Sequence, residues 1–285
     1  MKLKFFLTIS SFVFSVISYC QTGAIQPDKL KKIWETNGLD IPESVLPVPD
    51  QNKIFVSNIG GPSADEKDNN GFISMLGKDG KIIKLKWAVG LNSPKGMGIL
   101  GNNLYVTDID RIAEIDLQTG KIIKFYPVEG SKLLNDITVT NDGKLFITDS
   151  KAKKVYLMEN SKVSEFVHSD SWAFPNGIIT YNNKILVGTG DRLIAINPAT
   201  KVIEDLLLNT GGIDGLANVD KDIFIFSDWS GKIYRMQLGK EKELLLDTSK
   251  IDKMQTADFC YLTDKKILFV PTFFGNSVAC YQLIE

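Results

Sequence analysis

Six mostly polar or charged positions recur at one phase of a repeating pattern, spread over more than 200 residues. Two carboxylates and two amides among them offer oxygen ligands, which suit a hard cation such as calcium. A cation with open coordination positions polarises a carbonyl or phosphoryl oxygen and activates water, and a nearby carboxylate can take the proton. The six positions are Glu43, Lys95, Asn135, Asn176, Asp214 and Thr256.

A simpler interpretation treats these positions as turn residues, because Asn-Gly and Asp-Gly pairs are common turn signals. For any one position taken alone, the turn interpretation is better than the binding-site interpretation. It suits the set less well, since Glu43 and Lys95 hold the same phase and are poor turn formers. Neither histidine nor cysteine occurs at the six positions, which argues against zinc.

The elements that would position these residues are short strands, repeated six times. An apolar run such as Leu104–Val106 or Leu145–Ile147 recurs at intervals of 38 to 50 residues, each after a turn signal. A more polar strand, a second turn and an outer strand follow. Four short strands in about 40 residues make one blade of a β-propeller, whose innermost strands line a central channel. The six positions would then meet at one mouth of that channel.

The ring of blades needs one more strand to close. The last repeat ends at Glu285 after three strands, whereas Lys31–Thr36 precedes the first blade and resembles an outer strand. We therefore predict an all-β, six-bladed propeller with four-stranded blades, in which this N-terminal strand completes the last blade and removes a free sheet edge. Residues 21–285 form one domain, and Gly60 to Asn70 form a surface loop.

The first twenty residues resemble a signal peptide. Lys2 and Lys4 precede an apolar run, Phe5–Ile17, which is too short to span a bilayer comfortably. Cleavage after Cys20 would give an exported periplasmic or secreted protein without a transmembrane segment. Lipidation of Cys20 is the alternative, and bulky Tyr19 before it favours cleavage.

Composition limits the partners. Lysine and arginine number 33 against 34 aspartates and glutamates, a net charge of −1, which excludes a basic nucleic-acid binder. The apolar share of 44% is typical of a globular protein. We expect a monomer that binds a small molecule.

Cysteine and histidine have structural interpretations. Cys260 and Cys280 fall on strands separated by a third, roughly 9.6 Å apart, beyond the reach of a disulfide at about 7 Å; we expect two buried free thiols. The single histidine, His168, ends an outer strand and is expected at the surface. Asp108, Asp149 and Asp228 recur after second strands and are expected to brace backbone N–H groups between blades.

The motifs around Glu43, Asn176 and Asp214 resemble those of the SMP-30/gluconolactonase/LRE-like propellers, over about residues 30–285. The resemblance implies metal-dependent hydrolysis of a lactone or related small ester. It assigns Glu43, Asn176 and Asp214 to a divalent cation, usually calcium, with magnesium, manganese and zinc as alternatives. It also makes Asp214 the base and places the Asn135-Asp136 pair at the substrate.

Two residues depart from that family's pattern. Leu133 stands where regucalcin-type lactonases have an arginine, which bears on sugar-acid recognition. Lys95 would oppose a cation. It would then either orient an anionic group of the substrate or replace the metal charge, leaving a non-catalytic propeller that binds a ligand or protein partner through the same mouth.

Aromatic residues near the mouth have two interpretations. Trp172 and Phe174 lead into Asn176 and would stack on a ring substrate, or else pack in the core or anchor the loop. Trp229 carries the same two alternatives. Phe273 and Phe274 are expected to help wall the pocket.

Overall fold

The computed structural model describes residues 29–49, 51–251 and 254–284, which form six four-stranded antiparallel sheets. The all-β, six-bladed propeller is therefore confirmed. Blade 1 contains β2 (Pro42–Pro47), β3 (Lys53–Asn58), β4 (Gly71–Gly77) and β5 (Ile82–Leu91). Blade 2 contains β6 (Pro94–Leu100), β7 (Asn103–Asp108), β8 (Arg111–Asp116) and β9 (Ile122–Pro127). Blade 3 contains β10 (Leu134–Val139), β11 (Leu145–Asp149), β12 (Lys154–Glu159) and β13 (Lys162–His168).

The remaining blades repeat this order. Blade 4 contains β14 (Ile178–Tyr181), β15 (Lys184–Gly188), β16 (Arg192–Ile196) and β17 (Ile203–Leu208). Blade 5 contains β18 (Leu216–Asp220), β19 (Ile223–Ser227), β20 (Lys232–Gln237) and β21 (Glu243–Asp247). Blade 6 contains β22 (Cys260–Leu262), β23 (Ile267–Pro271), β24 (Ser277–Leu283) and β1 (Leu30–Asn37). Two short 3-10 turns, Thr263–Lys265 and Phe273–Gly275, flank β23.

The ring closes as predicted. Strand β1 pairs antiparallel with β24, so the N-terminal strand is the outer strand of the last blade. The Lys31–Thr36 segment lies within β1. Because β1 occupies the outer edge of blade 6, the strand before blade 1 and the last strand of the chain are joined by hydrogen bonds.

The core lies between the faces of neighbouring blades. The second strand of each blade is buried on both faces, as Ile54, Phe55 and Val56 of β3 are, and a strand in that position must be apolar on successive residues. The Phe55 and Trp87 rings stack at 4.3 Å within the cluster that joins blades 1 and 2.

Hydroxyl groups at the ends of second strands fix the inner strands. Ser57, Thr148 and Ser227 accept hydrogen bonds from inner-strand N–H groups at 2.8 to 3.0 Å. Ser227 also donates to the carbonyl of Ala257 in the next blade, at 3.0 Å, and Thr107 likewise donates to the carbonyl of Asn135. These bonds set the height of one inner strand against its neighbour.

Two of the three recurring aspartates brace backbone N–H groups between blades, as expected. Asp108 accepts from the N–H groups of Asn92 and Ser93, in the connection from blade 1. Asp149 accepts from those of Lys132 and Leu133, in the connection from blade 2. Asp228 instead stabilises its own hairpin, through Ser230 and Lys232.

Cys260 and Cys280 are free, as predicted. Cys260 and Cys280 both pair with Phe269 of the intervening strand β23. Cys280 is buried, whereas Cys260 is half-buried, which corrects the expectation that both are buried. Burial raises the pKa of each thiol to about 12.

The predicted signal peptide, with its alternative of lipidation at Cys20, lies outside the described residues. Within the described ranges, no helix is both long enough and apolar enough to cross a membrane.

Three glycines bring neighbouring inner strands close together. A Cβ at Gly177 would lie 2.2 Å from the carbonyl oxygen of Asp214, and one at Gly96 would lie 2.6 Å from the Cα of Asp136. A Cβ at Gly215 would lie 2.6 Å from the backbone nitrogen of Phe259. Each contact involves backbone, so a larger residue would push two blades apart.

We therefore expect Gly177→Ala to destabilise the protein by about 1–3 kcal/mol, since the methyl group overlaps the backbone at Asp214. Gly212→Ala is the matched control, because a Cβ there meets no atom within 4 Å. Urea unfolding of both variants measures the difference. Equal midpoints would contradict the close approach of blades 4 and 5.

Candidate functional site

The predicted positions meet at one mouth of the channel, at the starts of the inner strands. Five of the six hold the same structural position, and we call the layer they form the upper ring. In it, the N–H of Asn176 donates to Gly188 at 2.9 Å and that of Asp214 to Ser227 at 2.9 Å. The upper ring consists of Glu43, Lys95, Asn135, Asn176, Asp214 and Ala257.

The sixth residue of the upper ring is Ala257, so the prediction of Thr256 at this position is wrong. The N–H of Ala257 donates to Pro271 at 3.1 Å, which is the bond that Asp214 makes with Ser227. Thr256 lies one residue earlier, is buried, and its hydroxyl donates to the Lys232 carbonyl at 3.2 Å.

A second layer lies one residue further along each inner strand, and we call it the lower ring. Ser44 and Asp258 form a parallel bridge in it, and the N–H of Asp258 donates to the Glu43 carbonyl at 3.0 Å. Three members are polar and line the end of a channel cavity of about 390 Å³. The lower ring consists of Ser44, Gly96, Asp136, Gly177, Gly215 and Asp258.

Asp258 is the site residue that sequence reasoning missed. Its carboxylate accepts a hydrogen bond from the Ser44 hydroxyl. Short motifs at the start of the inner strand align the other five repeats, and the repeat of blade 6 lacks such a motif. The pairing of Cys260 with Phe269 places Asp258 in the same layer as Asp136, which lies across the ring in blade 3.

Four oxygens at the mouth are buried without a hydrogen-bond partner among the described residues. Both amides hold their nitrogens in fixed bonds: Asn135 Nδ2 donates to Ser150 Oγ at 3.1 Å, and Asn176 Nδ2 to Asp214 Oδ1 at 2.6 Å. A buried acceptor left unpaired costs about 1–3 kcal/mol. The four atoms are Glu43 Oε2, Asn135 Oδ1, Asp136 Oδ1 and Asn176 Oδ1.

These oxygens fit a hard cation, because all four are acceptors and calcium prefers carboxylate and amide oxygens. Within the described ranges, no three His, Cys, Asp or Glu side chains are grouped closely enough to hold a metal by themselves. A cation at this mouth would therefore need the amide oxygens of Asn135 and Asn176 as well as carboxylates.

The carboxyl groups of the two rings share one unfavourable environment. Burial, followed by the field of Asp258, raises the pKa of Asp214 to about 8. Burial raises the pKa of Asp258 to about 7, against the hydrogen bond from Ser44. Burial and neighbouring carboxylates also raise the pKa of Glu43 and of Asp136 well above the usual range. The groups cannot all ionise without added positive charge.

Lys95 supplies part of that charge from beneath the loop at residues 60–70. Its ammonium donates to the Ala64 carbonyl at 2.7 Å, the Ser93 carbonyl at 3.2 Å and the Ser93 hydroxyl at 3.0 Å. An ammonium has three hydrogens, so these acceptors use its donor capacity. Burial lowers its pKa, and the charge of Glu43 opposes that shift.

The loop itself is tied across the mouth by charge. Lys151 of blade 3 pairs with Asp65, and Lys67 pairs with Asp110 of blade 2 at 2.5 Å. The surface loop predicted between Gly60 and Asn70 thus connects β3 to β4 and lies over Lys95.

The two aromatic residues that precede Asn176 lie in different environments. Trp172 is only 4% exposed and packs with Phe146 and Phe166, which matches the core alternative. Phe174 is 65% exposed. His168 is exposed, as predicted, with Nε2 at 3.3 Å from an oxygen of Asp170.

Comparison with known proteins places the fold. No family model and no curated protein sequence matches the chain. Virginiamycin B lyase from Staphylococcus aureus is 18% identical, covers 88% of this chain and 99% of its own, and has a TM-score of 0.61. A second streptogramin B lyase structure is 16% identical over 88% of this chain and 97% of its own, with a TM-score of 0.60.

A structural-genomics protein predicted to be a gluconolactonase is 14% identical, covers 92% of this chain and 98% of its own, and has a TM-score of 0.65. At such identities, these likenesses establish a shared fold. The resemblance drawn from the sequence motifs is confirmed at that level.

The raised pKa of Asp214 predicts a pH effect on stability. The native pKa of about 8 exceeds the ordinary value of 3.8, so native protein binds the proton more tightly than unfolded protein. That stability is complete at acidic pH and is lost as the pH rises from about 4 through 8. In the presence of a chelator, the free energy of unfolding should fall between pH 5 and pH 8. We expect Asp214→Asn to reduce that fall by about 1 kcal/mol or more, as measured by urea unfolding.

Asp142→Asn is the control, because Asp142 is exposed in the β10–β11 turn and its pKa is lowered by Thr140. Its stability should follow the wild-type pH profile. Parallel profiles for Asp214→Asn and wild type would refute the buried titration.

Proposed function

We propose that the protein is a divalent-cation-dependent hydrolase that acts on a lactone or related small ester at the channel mouth. The supporting observation is the set of four buried, unpartnered oxygens that three different blades contribute to one mouth. A propeller built only for stability would pair these acceptors or replace them with apolar groups. The shared fold is compatible with this activity but does not carry it.

Glu43, Asn176 and Asp214 are the proposed ligands, and the oxygens of Asn135 and Asp136 complete the set. When bound, calcium or a related cation would polarise the ester carbonyl and make a bound water more acidic. Calcium suits an all-oxygen donor set better than zinc does. Its charge would also lower the pKa of the surrounding carboxyl groups.

Asp214 is the proposed general base. The amide of Asn176 holds its Oδ1, so Oδ2 is the oxygen assigned to take a proton from the attacking water. Water then adds to the acyl carbon, the acyl–oxygen bond breaks, and the proton passes to the leaving alkoxide. A pKa near neutrality suits a group that accepts and returns a proton.

Lys95 and Asn135 have different parts in this proposal. Asn135, with its nitrogen fixed on Ser150, presents its carbonyl oxygen towards a substrate hydroxyl or the cation. Lys95 acts as a fixed counter-charge to Glu43. Because its three hydrogen bonds use all three N–H donors, Lys95 has none left for the predicted role of orienting the substrate.

A second candidate, a non-catalytic propeller that binds a ligand or protein partner, is favoured by the same lysine. Its positive charge acts on both Glu43 and Asp136, and in this alternative it takes the place of the metal.

Metal binding separates the two candidates. We expect residues 21–285 to bind calcium in a calorimetric titration, and we expect Glu43→Gln and Asp214→Asn each to weaken binding at least tenfold, because each removes a charged ligand. Asp142→Asn should bind as wild type does. Asp214→Asn should also lose about 10²–10⁴-fold in hydrolysis of an accepted lactone. Absence of binding by calcium, magnesium, manganese and zinc would reject the hydrolase.

Lys95→Met provides a second discrimination. If Lys95 lies beside an occupied cation site, removing its charge should strengthen calcium binding several-fold, since like charges no longer repel. If Lys95 replaces the metal, only the variant should bind calcium. Calorimetry measures either outcome, and thermal unfolding of the same sample verifies that the variant remains folded.

A further inference from the structure

Three aromatic rings form a corner on the mouth side of blades 5 and 6. Trp229 lies 5.5 Å from Phe273 and 6.1 Å from Phe274, each at 75°, and the two phenylalanines lie 4.8 Å apart at 85°. The rings are thus nearly perpendicular to one another. Trp229 is 42% exposed and Phe274 38%, while Phe273 is buried behind them. We call these three residues the aromatic corner.

The backbone holds these side chains in place at a conformational cost. Trp229 has φ +59° and Phe273 has φ +52°, in the left-handed region that bulky residues rarely adopt. Such strain persists where the surrounding structure imposes it, and Ile109 in the corresponding turn of blade 2 has φ +63°. Here the hairpin bonds of Asp228 and the closing bond from Asn276 N–H to the Phe273 carbonyl hold the two turns.

The aromatic corner adjoins the carboxylates of the mouth. The Ser227 carbonyl that holds the N–H of Asp214 lies two residues before Trp229. The Trp229 carbonyl in turn accepts from the N–H of Thr256, at 3.4 Å, two residues before Asp258. Phe273 packs against Ala257 of the upper ring. A group seated on the exposed rings would therefore lie on the same side of the blades as the segments that carry Asp214 and Asp258.

The charges around the mouth disfavour an anionic occupant. Lys95 has its donors engaged, and the lysines of the covering loop and of blade 3 are paired with Asp110 and Asp65. The carboxyl groups of the two rings would repel an anionic ligand. Perpendicular rings also accept another aromatic ring in the edge-to-face geometry that aromatic pairs prefer.

We propose that the aromatic corner binds the aromatic ring of a neutral substrate, with Trp229 and Phe274 as specificity-determining residues. The position of the ring would direct an attached lactone or ester carbonyl towards Asp214, and this second part rests on the proposed function. Recognition of the ring itself does not depend on catalysis.

The test uses three neutral lactones that differ only in the ring. Phthalide carries a fused benzene ring, hexahydrophthalide carries the saturated ring, and γ-butyrolactone carries neither. Calorimetric titration in EDTA, where the proposed calcium-dependent hydrolysis cannot consume the lactone, gives the Kd of each for wild type, Trp229→Ala and Phe274→Ala. Ile83→Ala, on β5 of blade 1, controls for the loss of an exposed apolar side chain. Hydrolysis is followed separately in a pH-stat with calcium present.

We expect wild type to bind phthalide more tightly than the other two lactones, and each corner variant to weaken phthalide binding about two- to tenfold. The Kd for γ-butyrolactone should not change, and Ile83→Ala should match wild type. Equal affinity for phthalide and hexahydrophthalide, or phthalide binding unaffected by both corner variants, would overturn the proposal. Phthalide binding that depends on Trp229 without hydrolysis of any lactone would support the aromatic corner while rejecting the hydrolase.

Discussion

Buried carboxyl groups crowd the mouth of the channel, and the free-energy cost of ionising them together constrains everything around them. Removing a carboxylate from water is unfavourable, and a second carboxylate nearby adds repulsion. This cost is offset by the buried ammonium of Lys95 and by the amide donor of Asn176, and the pKa values of the carboxyl groups are raised towards neutrality. A divalent cation would complete the same compensation. The groups concerned are Glu43, Asp136, Asp214 and Asp258.

The propeller makes this arrangement possible because it supplies one inner strand per blade to the same axis. Glycine at three of the six lower-ring positions allows neighbouring strands to approach through backbone contact. The other three positions carry Ser44, Asp136 and Asp258 into the channel. Hydroxyl groups of the second strands then hold each inner strand at a fixed height, so that side chains far apart in the chain are presented in two defined layers.

The two sides of the mouth differ in chemistry. On the side of blades 1 to 3, the loop at residues 60–70 covers Lys95 and is tied down by ion pairs. On the side of blades 5 and 6, aromatic rings are exposed on the turns that follow β19 and β23. A charged but compensated side and an apolar side suit a small neutral molecule that has one polar reacting group.

Residue patterns alone predict the repeating strands, the number of blades and the strand that closes the ring, because these depend on local hydrophobic pattern and turn residues. They also identify five of the six upper-ring positions, whose motifs mark the start of the inner strand. Blade 6 lacks such a motif, so the assignment there was displaced by one residue to Thr256, and Asp258 was missed. Which way Lys95 points, that Trp172 lies in the core, and which oxygens remain unpaired become apparent only in the folded protein. These features depend on contacts between blades that lie far apart in the chain, and no local pattern encodes them.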